Sequence, residues 1–291
     1  MILIADSGSS KTDWCLIDPS ENKTFFSTEG YNPFYMEPSF ILKSIQKDLP
    51  ATIHTAEIKA VYFYGAGCQG SKIPVMEHVL AEIFAYAIKI SVEVDLMGAA
   101  RALMGNGAGF AAILGTGTNS CLYDGVKITH HIDSLGFLLG DEGSGAMIGK
   151  KIISDYLRKN MPEDVQQTFK EVYNISDEML LNLVYNSKNP NRYCASYAKF
   201  LDKLPAKHPY GQALVHDSFD FFFKNLVSVY PDYQFHEFNC IGSIGYTFQS
   251  ILIEVANKYH MRTGKIIPSV IADLADYHMA SYATLHQENL I

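Results

Sequence analysis

The strongest constraint on the fold of this chain is a pattern that occurs twice along it. A short apolar strand, a turn rich in glycine and hydroxyl side chains, and two further strands make up residues 1–28, and the same order returns at residues 109–133. Segments with the apolar spacing of helices follow both copies, and strands that alternate with helices indicate the α/β class. The repeat is one of structure rather than of identical residues. A length of 291 residues also fits two domains.

The charge and hydropathy of the chain exclude several classes of protein. Its 23 Lys and Arg against 31 Asp and Glu leave a net charge of −8, and because phosphate backbones are bound by clustered cations, we expect no nucleic-acid partner. The first charge is Asp6, with no basic segment before it, which is not typical of a signal peptide. Apolar runs such as residues 109–114 are far shorter than the ~20 residues of a membrane span. We therefore expect a cytoplasmic protein without a membrane partner.

The cysteines indicate reduced thiols rather than disulfides or a metal site. Their number is odd, they are widely spaced, and no pair forms a C-x-x-C motif. The five are Cys15, Cys68, Cys121, Cys194 and Cys240. We expect most of them to be buried, and we see no zinc or iron–sulfur ligand set.

The first glycine turn, Asp6–Asp13, has the residues of an anion-binding loop. Glycine and small hydroxyl residues after a strand let backbone N–H groups approach a phosphate closely. Ser10, Lys11 and Thr12 could add donors, and Asp6 could hold a hydrated Mg²⁺. It is not a Walker A loop, because Ser10 stands where that motif requires glycine before the lysine. A plain hairpin turn is the alternative.

Four further features carry polar or glycine residues at the ends of strands. Gly115–Asn119 is a second glycine turn, and two such turns on two similar hairpins could bind one nucleotide from opposite sides. Gly140–Gly145 places adjacent acids before a helix, Gly242–Gly245 joins a strand to a helix, and Asp95 follows an apolar strand. For each of these, a capped helix start, a hairpin or close strand–helix packing is the alternative.

Taken together and in this order, the motifs resemble those of the actin-like ATPase and sugar kinase superfamily. Within it they look most like the N-acetylglucosamine kinase group, which shares a sequence family with the activator ATPases of benzoyl-CoA reductase. The resemblance covers nearly the whole chain, and the tail Pro268–His278 takes part in it. It implies two ribonuclease H-like domains with a nucleotide and sugar cleft between them. The expected domains are residues 1–107 with a returning C-terminal helix at 272–291, and residues 108–271.

The resemblance also assigns roles to individual residues. The residues that match nucleotide-binding positions are Asp6, Gly8, Ser9, Ser10, Lys11 and Thr12 of the first turn, Gly115, Thr116, Gly117 and Thr118 of the second, and Gly242, Ser243 and Gly245 of the adenosine segment. Asp95 matches the general base that also contacts the sugar, and Asn32 and Asp141 match positions that hold sugar hydroxyls. ATP and Mg²⁺ are the implied cofactors, with Asp6 holding the metal through water. Gly67, which follows a strand, lines the sugar site or only turns the chain.

Three functions are compatible with these residues. The first is an ATP-dependent kinase that phosphorylates the 6-hydroxyl of a hexosamine, N-acetylglucosamine or glucosamine, with a small-molecule sugar as its partner. The second is an ATPase that drives a partner enzyme, although the cysteine spacing argues against the iron–sulfur cluster of the known activators. The third is a sensing module without turnover. The acceptor sugar stays open, and so does the oligomeric state, for which a homodimer is one option.

Overall fold

The computed structural model describes residues 1–8 and 10–287, with the side chains of residues 281–287 excepted. The strands are β1 (Ile2–Ser7), β2 (Lys11–Ile17), β3 (Lys23–Glu29), β4 (Ala60–Gly65), β5 (Lys89–Val94), β6 (Gly109–Leu114), β7 (Thr118–Tyr123), β8 (Ile128–His131), β9 (Glu237–Ile241) and β10 (Arg262–Ile267). The α-helices are α1 (Pro38–Asp48), α2 (Lys72–Ile83), α3 (Asp95–Met104), α4 (Gly136–Leu139), α5 (Gly145–Arg158), α6 (Glu163–Tyr173), α7 (Asp177–Asn186), α8 (Pro190–Ser196), α9 (Pro209–Asn225), α10 (Ser243–Thr247), α11 (Gln249–Lys258) and α12 (Ile271–Gln287). Short 3₁₀ helices occur at Thr55–Glu57, Tyr197–Lys203, Val227–Val229 and Tyr233–Phe235.

The chain divides into two compact units. Unit 1 consists of Met1–Ala108, Asp124–Lys127 and the segment that begins at Ser269; unit 2 consists of Gly109–Tyr123 and Ile128–Pro268. The predicted domain boundaries, at 107/108 and 271/272, lie close to two of these divisions. The short return of the chain to unit 1 at Asp124–Lys127 was not part of the prediction.

Unit 1 is built on a five-stranded mixed sheet with the order β3-β2-β1-β4-β5. Strands β1, β2 and β3 are antiparallel neighbours, whereas β4 and β5 run parallel to β1. Alternate residues of a strand point to opposite faces. Leu3 and Phe63 accordingly share a buried core with Ile41 of α1, while Tyr62 and Tyr64 on the other face contact His278 of α12.

Trp14, on β2, fixes the core of unit 1. It is fully buried, its ring stacks on Phe26 with 5.8 Å between ring centroids, and it meets the edge of Phe63 at 6.0 Å. Its indole N–H donates to Thr28 Oγ1 at 2.9 Å, so the polar atom of this large side chain is satisfied inside the core. The hairpin that ends in the first glycine turn is therefore anchored by burial of its second strand.

Unit 2 contains a five-stranded sheet with the same topology, in the order β10-β9-β6-β7-β8. Strands β6, β7 and β8 are antiparallel neighbours, and β9 and β10 run parallel to β6. The helices α5 to α9 lie between β8 and β9 in the chain, and much of the core of this unit comes from their apolar faces. The two five-stranded sheets confirm the predicted α/β fold of the actin-like ATPase type.

Two sequence expectations concern membrane-spanning segments and the state of the cysteines. Within the part of the chain that the structure describes, no helix has both the length and the apolar run needed to cross a bilayer. All five cysteines are buried, and none takes part in a disulfide.

Candidate active site

Two carboxylates lie at the same edge of the sheet in unit 1. Asp6 is near the end of β1, and Asp95 follows directly after β5 as the first residue of α3. Strands β1, β4 and β5 are parallel, so their carboxyl ends meet at one edge. Ligands of open α/β sheets bind at this edge, which makes it the candidate site of unit 1.

Burial raises the pKa of both carboxyl groups, and repulsion between charges adds to the effect at Asp6. Burial raises the pKa of Asp6 from 3.8 to about 7, with further increases from the charges of Asp95 and Asp13 and a smaller opposing effect of Lys11. Burial also raises the pKa of Asp95 to about 6, although its Oδ1 accepts the Leu96 N–H at 2.9 Å, which favours the ionised form. A carboxyl whose pKa lies near neutrality suits a general base.

The same electrostatics favour a cation beside Asp6. A divalent ion would offset the repulsion that the neighbouring carboxylates impose on this side chain. Among the described residues, no cluster of three or more His, Cys, Asp or Glu could hold a metal by itself. Mg²⁺ commonly uses one or two carboxylates and completes its shell with water and phosphate oxygens, so the site fits Mg²⁺ held together with a nucleotide.

The first glycine turn is short and internally bonded. Gly8 N–H donates to Lys11 O at 3.0 Å, and Lys11 Nζ lies 2.7 Å from Asp13 Oδ2. The Thr12 hydroxyl is buried, lies 2.7 Å from the Ser7 hydroxyl and donates to Glu29 O at 2.8 Å. In this structure the Thr12 and Lys11 side chains therefore serve the hairpin, and their phosphate contacts stay predictions, as does that of Ser10. Ser9 lies outside the described residues.

Asn32 and Gly67 are brought together beside the end of β1. Ala66 N–H donates to Ser7 O at 2.8 Å, and Tyr31 N–H donates to Ser7 Oγ at 3.0 Å, so Ser7 connects both segments to the strand. Gly67 has φ +77°, and a Cβ on it would lie 2.3 Å from Asn32 Oδ1. Only glycine combines this backbone conformation with so close a carboxamide.

Phe34 is a residue at this site that the sequence analysis did not single out. Its backbone N–H donates to Asn32 Oδ1 at 2.9 Å, and its ring packs against Gly67. The Lys72 ammonium lies 5.5 Å from the ring centroid, and the Phe34 side chain is 50% exposed. An aromatic residue two positions after Asn32, in a segment without apolar periodicity, is the signal that could have indicated it.

In unit 2 the second glycine turn is bonded to the start of α5. Gly145 N–H donates to Gly115 O at 2.8 Å, and Ala146 N–H donates to Thr116 O at 3.1 Å. Ser144 caps the helix by accepting the Met147 N–H on its hydroxyl at 3.1 Å. Two motifs that are separate in sequence, the second turn and Gly140–Gly145, thus form one structure.

Asp141 completes this connection. It is buried, it has φ +59°, and its Oδ1 accepts the Thr118 N–H at 3.1 Å. The Thr118 hydroxyl donates in turn to Glu142 O, and the Asp141 carboxylate lies against Gly117, 3.0 Å from where a Cβ would stand. Burial raises the pKa of Asp141, and the Thr118 N–H and the Lys150 charge oppose that increase. The Asp141 carboxylate is therefore held by the Thr118 N–H and lies against Gly117 of the second glycine turn.

The segment Gly242–Gly245 lies over the end of β6. Gly242 has φ +116°, and a Cβ on it would come within 2.4 Å of Leu114 O, so a side chain is excluded there. Ser243 is exposed, whereas Gly245 is buried against Cys240 Sγ. Gly245 therefore has a packing role in this structure, and its contact with adenosine stays a prediction.

Comparison with solved structures shows the family to which this chain belongs. A protein of Porphyromonas gingivalis, provisionally named an N-acetylglucosamine kinase, is 37% identical, with a TM-score of 0.92 over 97% of this chain and 100% of that one. The chain belongs to the sugar kinases. No protein-family model matches it, and no curated protein does either.

Two more distant structures share the fold of this sugar kinase. One is a protein of Chromobacterium violaceum with the same provisional name, at 12% identity and a TM-score of 0.70 over 95% of this chain and 98% of that one. The other is a ROK-family glucokinase of Streptomyces griseus, solved with glucose and AMPPNP, at 12% identity and a TM-score of 0.56 over 95% and 97%.

In this sugar kinase the predicted site residues form two groups. Asp6, Asn32, Gly67 and Asp95 lie together at one sheet edge of unit 1. The residues of the second turn, Asp141 and Gly242 lie together in unit 2. Each group joins motifs that are between about 20 and 130 residues apart in sequence.

Proposed function

We propose that this sugar kinase transfers the γ-phosphoryl group of ATP to the 6-hydroxyl of a hexosamine, N-acetylglucosamine or glucosamine. The identity of 37% over nearly the whole of the P. gingivalis protein supports the amino-sugar acceptor. The observation that carries the chemistry is Asp95, a carboxylate at a strand end whose pKa is raised to about 6.

Asp95 is the general base in this proposal. Because Leu96 N–H bonds one carboxylate oxygen, the side chain is fixed while the other oxygen is available to the acceptor hydroxyl. It would orient that hydroxyl and accept its proton as the phosphoryl group moves, an effect typically of ~10²–10⁴-fold in rate. Asn32, Gly67 and Asp141 would hold the remaining sugar hydroxyls.

The glycine turns would bind the triphosphate. Phosphoryl transfer depends mainly on positioning and on neutralising charge, which backbone N–H groups of Gly8 and of Gly115–Thr118 can supply. Ser9, Ser10, Lys11 and Thr12 belong to the first turn, and Gly242, Ser243 and Gly245 to the adenosine segment of the proposal. Asp6 would hold Mg²⁺ through water, and the ion would spread the charge of the β- and γ-phosphates.

The proposed sugar substrate is soluble and the proposed phosphoryl donor, ATP, is intracellular, so we propose the cytoplasm as the location.

The alternative function is an ATPase that activates a partner enzyme, as in the benzoyl-CoA reductase activators. It differs from the kinase in one measurable respect, because its ATP hydrolysis would not depend on any sugar. Whether the protein forms a homodimer is a separate question, which light scattering of the purified protein answers.

The test is ADP release from Mg-ATP with N-acetylglucosamine, glucosamine, N-acetylmannosamine, glucose or no sugar. We expect turnover with one hexosamine well above the rate without sugar, and none with its 6-deoxy analogue. Asp95→Asn should lower kcat by about 10²–10⁴-fold and leave sugar binding measurable by calorimetry. Asp124→Asn is the matched control, because Asp124 lies in an exposed turn where Asn can accept the same backbone N–H groups. Hydrolysis that ignores every sugar, or full turnover by Asp95→Asn, contradicts the proposal.

A further inference from the structure

A groove runs between two helices of unit 2, apart from the glycine turns. Tyr210, near the start of α9, bonds Asp155, near the end of α5, whereas Phe222, near the end of α9, lies against Gly143 just before α5. The two helices therefore run in opposite directions. The groove between them has a volume of about 480 Å³, within the range of small-molecule sites.

The middle of the groove is apolar and contains one buried hydroxyl without a partner. Met147 and Ile148 of α5 and Leu214 and Phe221 of α9 form its walls. Ser218 lines the same groove and is only 4% exposed, yet its Oγ makes no hydrogen bond within the described residues. Buried hydroxyls are nearly always bonded, so this one marks a position where a ligand atom would complete the pairing.

The polar end of the groove is already balanced in charge. Asp155 is 4% exposed and accepts the Tyr210 hydroxyl at 3.0 Å and the Lys151 ammonium. The Tyr210 oxygen keeps its own lone pairs as acceptors. An anion would meet Asp217 at the rim, and Lys151, the cation among the described lining residues, is held by Asp155. A cation could pair with Asp217, but that side chain is 84% exposed, so water screens the pair and it offsets little of the cost of burying the charge. Transfer of an unpaired ion into this groove is therefore unfavourable.

We propose that this groove binds an uncharged aromatic molecule that carries a single hydrogen-bonding group. The aromatic body packs on Met147, Leu214 and Phe221, and its polar group bonds the Ser218 hydroxyl. Sugars are excluded by the apolar walls, which leave most of their hydroxyls unpaired, and nucleotides by their charge. The lining of the groove contains none of the residues of the proposed active site.

Occupancy of the groove is coupled to the second glycine turn through α5. Met147 is the residue directly after Gly145 and Ala146, whose N–H groups hold Gly115 and Thr116. A ligand that packs on Met147 restrains the first turn of the helix that carries those bonds. Any such effect on nucleotide affinity is reciprocal, because coupling between two sites is a single free energy. This part rests on the proposed function, whereas binding in the groove does not.

Three probes with one aromatic body test the charge of the ligand. They are 2-(1-naphthyl)ethanol, 1-naphthylacetate and 2-(1-naphthyl)ethylamine, which is cationic at neutral pH. Dissociation constants are measured with the full chain by calorimetry and by the fluorescence anisotropy of the naphthyl group, without nucleotide or sugar. We expect the alcohol to bind at least about tenfold more tightly than either ion. Equal or tighter binding of an ion, or no binding of the alcohol, overturns the proposal.

Paired variants show whether the alcohol occupies the groove. Ala213→Phe places a ring into it from an exposed position of α9 and should abolish binding, whereas Gln212→Phe, one residue away on the same helix and outside the lining, should not. Ser218→Ala should weaken binding of the alcohol by about threefold to tenfold. Phe221→Ala should weaken it too, but Phe235→Ala, an exposed ring elsewhere in unit 2, should leave it unchanged. Circular dichroism verifies each fold, and equal binding within either matched pair overturns the assignment.

The coupling is measured separately from the binding. The dissociation constant for Mg-ATP is determined with and without saturating alcohol, and that for the alcohol with and without Mg-ATP. We expect both to change by the same factor of at least about two. If the alcohol binds in the groove and neither constant changes, the coupling is wrong while the site stands; if Mg-ATP itself does not bind, the proposed function fails and the groove result is unaffected.

Discussion

Substitution of Asp6 by Asn should stabilise unit 1 at alkaline pH while it removes the proposed metal ligand. The pKa of Asp6 is raised from 3.8 to about 7 by burial and by the charges of Asp95 and Asp13. Between these two pH values the folded state keeps a proton that the unfolded state has lost. The free energy of unfolding therefore falls as the pH rises through this window, and it stays low above it.

The magnitude follows from the difference between the two pKa values. A difference of 7 − 3.8 = 3.2 units corresponds to about 4 kcal/mol at 1.36 kcal/mol per unit. Because the Asp6 side chain is only partly removed from solvent, water screens part of this effect, and we expect about 1–3 kcal/mol. Asp6→Asn should thus match the wild type at about pH 4 and exceed it by that amount at about pH 8.

The chain offers a specific probe of unit 1 for this measurement. Its one tryptophan is Trp14, which is buried on β2 beside β1. Urea unfolding followed by Trp14 fluorescence, at several pH values and with a chelator to remove divalent cations, reports the stability of that unit. Glu57→Gln is the control, because Glu57 is an exposed carboxylate of the same unit and should change stability by less than about 0.5 kcal/mol. Wild-type and Asp6→Asn curves that stay parallel from acid to alkaline pH would refute the electrostatic argument.

Two further substitutions test the sugar side of the site. Gly67→Ala should raise the KM for the sugar and lower the free energy of unfolding by about 1–3 kcal/mol, because Gly67 has a positive φ and a Cβ there would meet Asn32. Sugar-dependent ADP release measures the KM, and urea unfolding measures the stability. An unchanged KM contradicts the placement of Gly67 at the sugar site. Phe34→Ala should raise the KM by about threefold to thirtyfold with little change in kcat, whereas Phe25→Ala, a ring of the same 50% exposure on β3, should leave both unchanged in the same assay.

Much of the fold follows from local sequence patterns. Apolar runs bounded by glycine or turn residues predict short buried strands over residues 1–5, 14–17 and 60–64, and these correspond to β1, β2 and β4. Boundaries were less accurate. Apolar residues at helical spacing predict a helix over residues 73–87, but α2 ends at Ile83, where the Phe84 N–H makes the last helical bond to Leu80 O. An apolar run predicts a strand over residues 239–244, but β9 ends at Ile241, because Gly242 takes a φ of +116° and precedes the first residue of α10.

The site was predictable in its motifs and not in its contacts. Asp6 and Asp95 could be placed at strand ends, and parallel strands then bring such residues to one edge. Nothing local reveals that Gly67 must face Asn32, or that Thr118 bonds Asp141, because those contacts depend on how distant segments pack. The same holds for the Thr12 hydroxyl, because no local pattern indicates its contacts with Ser7 and Glu29 within the hairpin.

The pH behaviour and the proposed chemistry of unit 1 have a common origin. Burial raises the pKa of Asp6, and the charges of Asp95 and Asp13 raise it further. A bound cation would offset these unfavourable contributions, so the carboxylate that destabilises the unit would also gain from binding Mg²⁺. Replacing it by a neutral residue removes the destabilisation and the affinity together, because both come from one charge. Asp95 lies at the same sheet edge, and burial raises the pKa of its carboxyl as well. Stability in the absence of ligand and readiness for phosphoryl transfer therefore cannot be improved independently at this sheet edge.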